Sequence, residues 1–491
     1  MEWSIELNDQ VSINVVRDDD GLFYVSCYPA ELARIISYKE INDRFYLEVH
    51  PDIYAYIDLT SNQVKYLREP YTTVEIRSLY ENLKEFVTLP SVDQQAFIES
   101  RHKPHTGGIE TELHTHFLEM LTGSEFINLI SQYIDYVPAR GDQVLGVMAK
   151  GEKISDFPMR RISSMDIEQL AYSYSIGIEG QVPFKAMEEI SARRTVLITL
   201  AAMSMASNPD DFDEVAKYRA ILYIKMLKIA MNTLKNKGIK YVEFSYSTAK
   251  TIMIMHKYFQ EHPEEIKGID FKVLYSFGRT PHKDSKVNKA MRDFEDLVNS
   301  GYVKGFDLMG EEHGLTLADR DDIHDPKTFV SIVNNVLRIL DGKKDKVLRL
   351  HAGENADSKN NPLESLMIID KLVTEFGYDP PQIRIGHGLY FFEYATLNGE
   401  YSAKYEDLLK KYNVIVEINA TSNYTLTSIT SLKQIPYRWY TEHGIPIVLA
   451  TDGAGMYLTD AIQERIIAEI FGGQEVLVNV SNTEDRVLGR C

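Results

Sequence analysis

The sequence predicts an α/β protein built around a (β/α)8 barrel, with a helical insertion after the first barrel strand and a small β-rich domain before the barrel. Eight short apolar runs with strand character follow residue 110, and most are separated by stretches long enough for a helix. Strands that alternate with helices form parallel βα units, and eight such units close into a TIM barrel. The runs are Thr111 to Phe117, Ile239 to Ser247, Phe271 to Arg279, Val303 to Gly310, Val347 to Glu354, Gln382 to Tyr390, Val414 to Asn423 and Pro446 to Gly453.

The first hundred residues have a different pattern. Short alternating runs at 22–27 and 44–49 are separated by turns rich in Asp, Asn and Gly, which favours β-strands, and a helix is expected near 74–87. Residues 101–108 have the composition of a linker. We therefore predict a β-rich N-terminal domain of unknown role over residues 1–105 and a catalytic (β/α)8 domain over residues 106–491.

The connection after the first barrel strand, from about 118 to 238, is too long for an ordinary βα loop. Its segments Arg193 to Ala206 and Glu214 to Asn236 carry apolar residues at helical spacing. A helical insertion over the mouth of the barrel is expected.

Composition excludes several classes of protein. The formal net charge of −19 opposes non-specific binding to nucleic acid or anionic membranes. The two cysteines, Cys27 and Cys491, cannot form a cysteine zinc site or a disulfide framework, and they favour a reducing compartment. The longest apolar run, Thr195 to Ala206, is too short to span a bilayer, and the N-terminus lacks the features of a signal peptide. We expect a cytoplasmic protein without nucleic-acid or membrane partners.

Ionisable side chains fall at the ends of four predicted strands, where (β/α)8 barrels carry their reactive groups. In chain order they are His114 with His116, His351 with Glu354, His387, and Asp452. Each alone has an ordinary explanation, such as a core histidine or a helix cap, but together in apolar runs they would cost too much burial energy to be incidental. Three imidazoles and a carboxylate can hold a divalent ion and lower the pKa of a water molecule toward neutrality. Glu354 and His387 are then the spare acid and base.

Seven segments of the barrel resemble motifs of the adenosine and AMP deaminase branch of the metal-dependent amidohydrolases. They are Glu-Leu-His-Thr-His at 112–116, Tyr-Val-Glu at 241–243, Gly-Phe-Asp-Leu-Met-Gly-Glu-Glu at 305–312, His-Ala-Gly-Glu at 351–354, Arg-Ile-Gly-His-Gly at 384–388, Thr-Ser-Asn at 421–423 and Ala-Thr-Asp at 450–452. The resemblance covers residues 110 to about 460. It implies hydrolytic removal of the 6-amino group of an adenine nucleoside or 5′-nucleotide, with ammonia as the second product.

The resemblance also implies the roles of individual residues. One Zn²⁺ per chain would be ligated by His114, His116, His351 and Asp452. Glu354 would protonate N1 of the purine, and His387 would orient the attacking water and take up its proton. Asp452 would hold that water as well as the metal, and Gly310 would contact the purine through its backbone.

Two departures from the family pattern concern the substrate. The residue after the metal-binding aspartate is usually a second aspartate that hydrogen-bonds N7, and here it is Gly453. The first motif usually continues Leu-Asp-Gly, with the aspartate near the ribose, and here it continues Phe117-Leu118-Glu119. A carboxylate at the second place repels a 5′-phosphate and Leu118 does not, which leaves a nucleotide open as substrate. Glu119 could replace the missing carboxylate, which leaves a free nucleoside open too.

Two basic clusters are candidates for binding a phosphate. Arg279 and Lys283 follow the third barrel strand, and Arg101, His102, Lys103 and His105 precede the first. The alternative for both clusters is an ordinary solvated loop.

Other functions also stay open. The same scaffold could act on another aminated heterocycle, or bind a purine nucleotide as a sensor with reduced catalysis. An RNA-editing enzyme is disfavoured by the charge of −19. Bacterial deaminases linked to antiviral defence are similar in attaching extra domains to such a barrel. The N-terminal domain could equally be a stability or oligomerisation module, and a homo-oligomer stays open.

Overall fold

The structure is a computed structural model of the chain. It describes all residues except 1, 9–10, 18–22, 29–35, 42–43, 50–51, 67–109, 139–158, 166–169, 172, 177–183, 280–282, 311, 313–322, 355–360, 390–398, 427, 430–431 and 491. The chain divides into two compact units, and the first comprises Met1–Gly107, Ile178–Val182 and Tyr424–Ile435. The predicted helix near 74–87 and the linker at 101–108 lie outside the described residues, so the domain limits of 1–105 and 106–491 stay a prediction.

The first unit contains antiparallel strands, which confirms its β-rich character. They are β1 (Glu2–Asn8), β2 (Val11–Arg17), β3 (Phe23–Tyr28), β4 (Ile36–Ile41), β5 (Arg44–Val49), β6 (Asp52–Asp58) and β7 (Gln63–Tyr66). β1 to β3 form one sheet and β4 to β7 another, each with neighbouring strands adjacent in sequence. Apolar side chains two residues apart, such as Trp3 and Ile5 on β1 or Phe45 and Leu47 on β5, are buried, as the period of a strand requires.

The second unit contains the predicted (β/α)8 barrel. Its strands are β8 (Thr111–His116), β9 (Tyr136–Pro138), β10 (Met159–Arg161), β11 (Tyr241–Tyr246), β12 (Asp270–Gly278), β13 (Gly305–Met309), β14 (Val347–Ala352), β15 (Gln382–His387), β16 (Ile415–Ile418) and β17 (Ile447–Leu449). β9 and β10 form a separate antiparallel pair, and the other eight form one parallel sheet in the order β8-β11-β12-β13-β14-β15-β16-β17. The two edge strands meet where the His116 N–H donates to the Asp452 carbonyl and the Asp452 N–H donates to the His114 carbonyl, both at 2.8 Å.

Helices surround this sheet. They are α1 (Gly123–Ile130), α2 (Phe184–Met205), α3 (Phe212–Asn236), α4 (Ala249–Glu261), α5 (Asp284–Asn299), α6 (Phe329–Leu340), α7 (Asn361–Phe376), α8 (Gly399–Lys411), α9 (Ala420–Thr425), α10 (Tyr437–Glu442), α11 (Ala461–Gly472) and α12 (Gln474–Val487). Polar side chains cap the first turns: Thr122 with Glu125 forms a capping box at α1, and Asp211 and Asp460 cap α3 and α11.

The helical insertion is confirmed by α1, α2 and α3, which lie between β8 and β11. α2 begins at Phe184, well before the predicted start at Arg193. Among the described residues, no helix is both long enough and apolar enough to cross a membrane.

Candidate metal and catalytic site

Four side chains from three strand ends converge at the mouth of the barrel. Nε2 of His351 lies 3.1 Å from Nε2 of His114 and 3.2 Å from Nε2 of His116. Oδ1 of Asp452 lies 3.1 Å from Nε2 of His116 and 3.6 Å from Nε2 of His114. Ligand atoms of a tetrahedral ion with metal–nitrogen distances of about 2.0–2.1 Å are roughly 3.3 Å apart. The four predicted ligands therefore have the spacing of a metal site.

Buried carboxylates behind two of these imidazoles determine which nitrogen carries the proton. Oε2 of Glu417 lies 2.8 Å from Nδ1 of His114, and Oδ1 of Asp307 lies 3.0 Å from Nδ1 of His351. Each Nδ1–H donates to its carboxylate, so each Nε2 is unprotonated. Two unprotonated nitrogens that face each other at 3.1 Å repel unless a cation lies between them. The donor set therefore fits a divalent metal ion.

The surroundings of His116 also favour positive charge. Burial disfavours the protonated imidazole, but the hydrogen bond that His116 donates to Asp452 and the charges of nearby carboxylates outweigh it and raise the pKa of His116 to about 9. For Asp452 the cost of burial is likewise outweighed, chiefly by His116, and the pKa of this carboxyl lies well below its usual range. An ionised aspartate among imidazoles is the state that metal binding requires.

An ion-pair network in the barrel interior holds the two supporting carboxylates. Arg349 donates to Asp307 at 2.9 Å and to Glu417 at 3.3 Å, and Arg384 donates to Glu417 at 3.2 Å and to Glu243 at 2.7 Å. All five residues are buried. Burial opposes ionisation of Asp307, but Arg349 outweighs it and the pKa of Asp307 falls well below the usual value. The network keeps a carboxylate in place behind each of the two imidazoles.

Glu354 and His387 lie beside the four ligands. Oε1 of Glu354 is 3.7 Å from Nε2 of His387, and one polar atom of each lies within 4.8 Å of a carboxylate oxygen of Asp452. Burial, reinforced by the carboxylates of Asp452 and Glu312, raises the pKa of Glu354 well above its usual value. Burial also lowers the pKa of His387 to about 3. The surroundings therefore favour the neutral form of both side chains.

The proton of His387 is fixed by an amide. Nδ1 of His387 lies 2.7 Å from Oδ1 of Asn423, so Nδ1–H donates and Nε2 is left as an acceptor. Nε2 has no hydrogen-bond partner among the described residues. This nitrogen is therefore chemically able to accept a proton.

Two of these residues have backbone conformations that are rare for non-glycine residues. The φ of His387 is +70° and that of Asp452 is +63°. Such strain costs about 1–3 kcal/mol per residue and persists mainly at functional sites. It arises where β15 and β17 end, and it turns both side chains toward the ligand cluster.

Glu312 is a site residue that the sequence analysis did not single out. Its carboxylate accepts the backbone N–H of Gly353 at 3.2 Å and that of Glu354 at 2.6 Å, and it also accepts from Asn361. These bonds fix the turn that carries Glu354. The sequence does contain an indication of this residue, because two glutamates follow the run that forms the fourth barrel strand. Glu312 is buried, and glutamate is rarely buried without a partner.

The residues that were predicted to contact the substrate differ in burial and in position. Gly310 directly follows β13 and has a φ of +96°, and Leu118 is half-buried next to Glu119. Arg279 is buried rather than solvated, donates to the carbonyl of His351, and lies 3.8 Å from Glu312. Lys283 is exposed. The second basic cluster, at 101–105, lies outside the described residues.

Glu119 and Gly453 are brought into direct contact. Both were predicted to bind substrate, but the sequence gives no sign that they touch. A Cβ atom built on Gly453 would lie 2.6 Å from Cβ of Glu119, closer than real Cβ contacts. The two positions therefore compete for one volume beside Asp452.

The fold and site together define a class: a (β/α)8 barrel with three histidines and an aspartate at its carboxyl end is the architecture of a metal-dependent amidohydrolase. Comparison with known proteins narrows the class, although no protein-family model matches the chain. An adenosine deaminase from Plasmodium gallinaceum is 26% identical over 255 residues, which cover 48% of this chain and 59% of that protein. An N6-methyl-AMP deaminase from Danio rerio is 25% identical over 321 residues, covering 60% of this chain and 83% of that protein.

The chain therefore spans 59% of the length of the Plasmodium relative it matches. A solved structure, the apo N6-methyl-AMP deaminase from Arabidopsis thaliana, is 15% identical and aligns with 77% of this chain and 90% of its own, with a TM-score of 0.46. In sequence the chain is therefore similar to adenosine and N6-methyl-AMP deaminases.

Proposed function

We propose that the protein is a zinc-dependent aminohydrolase that removes the 6-amino group of an adenine nucleoside or 5′-nucleotide. The observation that carries the proposal is the pair of unprotonated Nε2 atoms of His114 and His351, 3.1 Å apart, with a neutral acid and a neutral base beside them. The adenosine and N6-methyl-AMP deaminases that resemble the chain support the choice of an adenine substrate.

His114, His116, His351 and Asp452 would hold one zinc ion per chain. Three imidazole nitrogens and one carboxylate oxygen are a donor set that suits Zn²⁺. When bound, the ion lowers the pKa of a water molecule so that hydroxide is available near neutral pH.

The remaining steps belong to the protein's own side chains. His387, whose Nε2 is free because Asn423 holds the proton on Nδ1, accepts the proton of the water that attacks C6. Glu354, kept protonated by burial, donates to N1 as C6 becomes tetrahedral. The bond from C6 to the amino nitrogen then breaks, the nitrogen takes up the proton that His387 removed from water, and ammonia leaves. The proton that remains on the C6 hydroxyl leaves as the carbonyl forms and restores the proton that Glu354 gave to N1, so one water is consumed and the side chains return to their starting states.

A substrate panel tests the proposal. Protein loaded with one zinc per chain is incubated with adenosine, deoxyadenosine, their mono- and triphosphates and N6-methyl-AMP, and release of ammonia or methylamine is measured along with the inosine-type product. Turnover of at least one member is expected, and the preferred member decides between nucleoside and nucleotide. Absence of turnover on the whole panel refutes the proposal.

A matched pair of variants separates catalysis from folding. Glu354→Gln should lower turnover by roughly 10²–10⁴-fold and leave the zinc content unchanged, because the acid is lost and no ligand is touched. Glu484→Gln is the control: this glutamate is also buried, but it accepts from Thr111 at 2.5 Å, at the opposite end of β8. It should retain wild-type turnover.

A further inference from the structure

Glu119 presents a buried carboxyl oxygen that no protein group satisfies. Its side chain is 6% exposed, and Oε1 accepts a hydrogen bond from Ser191 at 3.0 Å. Oε2 is buried and has no hydrogen-bond partner in the described part of the chain. A buried polar atom without a partner costs about 1–3 kcal/mol, so its persistence beside a reaction centre points to a ligand that completes it.

Oε2 occupies the volume that a side chain at position 453 would fill. A Cβ on Gly453 would lie 2.9 Å from this oxygen and 2.6 Å from Cβ of Glu119. Gly453 directly follows Asp452, whereas Glu119 follows β8. The carboxyl group of Glu119 therefore lies beside the four predicted ligands although it comes from a different strand end. Glycine at position 453 leaves the space that the side chain of Glu119 occupies, so the two departures from the family pattern depend on each other.

The turn that carries Glu119 is held rigidly. The carbonyl of Glu119 accepts the N–H groups of Gly455 and Met456, both at 2.9 Å. The buried Arg194 of α2 donates to the carbonyl of Leu118 at 2.6 Å and to that of Leu121 at 2.8 Å. The helical insertion therefore fixes the position of this carboxyl group, as a binding residue requires.

The order of strands around the barrel places Glu119 and Glu354 on opposite flanks of Asp452. Glu354 follows β14, Asp452 follows β17, and Glu119 follows β8, which is the neighbour of β17 on its far side. In an adenine ring with C6 at the reaction centre, N1 lies on one side of C6 and N7 lies on the other. A ring that presents N1 to Glu354 therefore presents N7 toward Glu119.

Resting on the proposed function, we propose that Glu119 determines base specificity by donating a hydrogen bond from its carboxyl group to N7 of the purine. N7 is an acceptor, so the carboxyl must carry a proton. Burial, opposed by His116, raises the pKa of Glu119 to about 7, which keeps a substantial protonated fraction at neutral pH.

The first test pairs each adenine substrate with its 7-deaza analogue, in which a C–H replaces N7. Wild-type kcat/KM should fall by roughly 10–100-fold on the analogue, the usual effect of one lost hydrogen bond to a buried polar group. Glu119→Ala should lower kcat/KM on the parent by a similar factor and leave the analogue almost unchanged. Glu119→Gln keeps the size of the side chain and an N–H donor, so it should retain the preference for the parent.

The second test exchanges the two positions. Gly453→Asp alone should lose activity because its Cβ meets Cβ of Glu119, whereas Gly453→Asp combined with Glu119→Gly, which removes that Cβ, should recover both turnover and the preference for N7. Zinc content and thermal unfolding of each variant establish that the barrel is intact.

The outcomes separate the two proposals. Equal losses on parent and analogue in Glu119→Ala and Glu119→Gln would overturn the role of Glu119 alone. An absence of turnover by the zinc-loaded wild type would overturn the proposed function and this assignment with it.

Discussion

Glu417→Gln should weaken metal binding although Glu417 is not a predicted ligand. Oε2 of Glu417 lies 2.8 Å from Nδ1 of His114 and accepts its proton, which leaves Nε2 free for the metal. Glutamine removes the charge that favours this tautomer and that makes the imidazole a better ligand. The variant should fold, because Arg349 and Arg384 keep ion pairs with Asp307 and Glu243.

The expected loss of metal affinity is about 10–100-fold, the usual cost of removing such a partner, or about 1.4–2.7 kcal/mol. Competition with a chromogenic chelator at fixed pH measures the dissociation constant for Zn²⁺ directly. Turnover at saturating zinc should recover most of the wild-type rate, because Glu417 touches neither Glu354 nor His387 in the contacts that the structure shows.

Glu112→Gln is the matched control for this experiment. Glu112 is buried in the same barrel interior, and its Oε1 accepts the backbone N–H of His114 at 3.3 Å and that of Thr451 at 3.2 Å. Burial raises the pKa of Glu112 to about 8, so the side chain is largely neutral at pH 7 and glutamine resembles it. If both variants bind zinc as tightly as the wild type, the reasoning about Glu417 is wrong.

Three further predictions concern other parts of the site. Asn423→Ala should lower kcat by roughly 10–100-fold with little change in KM, because His387 loses the partner that fixes its tautomer, and steady-state kinetics at saturating zinc measure this. Glu312→Ala should lower turnover while zinc content is kept, since the turn that carries Glu354 is released; equal turnover would contradict it. Burial raises the pKa of Glu464 to about 7, so its stabilising contribution, complete below about pH 4.5, is lost as pH rises through 7. Relative to Glu464→Gln, the wild-type free energy of unfolding should fall by up to about 3 kcal/mol between pH 4.5 and 7.5, which urea denaturation measures.

The sequence was sufficient for the barrel because each strand lies within a short apolar run and most runs are separated by stretches long enough for a helix. The ends of the runs were harder to place. The run from Pro446 to Gly453 is a strand only over Ile447–Leu449, and the backbone has a positive φ further along, at Asp452. Likewise, β8 ends at His116 and Phe117 begins a 3₁₀ turn. The apolar pattern therefore shows where a strand lies but not the residue at which it ends.

The carboxylates that hydrogen-bond to the predicted metal ligands could not be predicted, because their partners come from distant parts of the chain. Asp307 and Glu417 each interrupt an apolar strand, and a buried charge requires a partner, so the sequence indicates that each carboxylate has a buried partner. The identity of that partner depends on which strands are neighbours and which side chains face inward. The contact between Glu119 and Gly453 has the same origin, since β8 and β17 meet only when the barrel closes.

The predicted metal ligands also take part in the closure of the barrel. The two backbone hydrogen bonds that join β8 to the chain after β17 use His114, His116 and Asp452, which are also predicted ligands. A cation held by these side chains and His351 would link β8 and β17 to β14 across the barrel mouth. The side-chain donors are in turn fixed by carboxylates on β13 and β16. The donors converge only when the first and last strands meet. Metal affinity and the stability of the junction between β8 and the chain after β17 are therefore thermodynamically linked. Separating the two strands would separate the predicted ligands, and a bound metal ion would stabilise the junction.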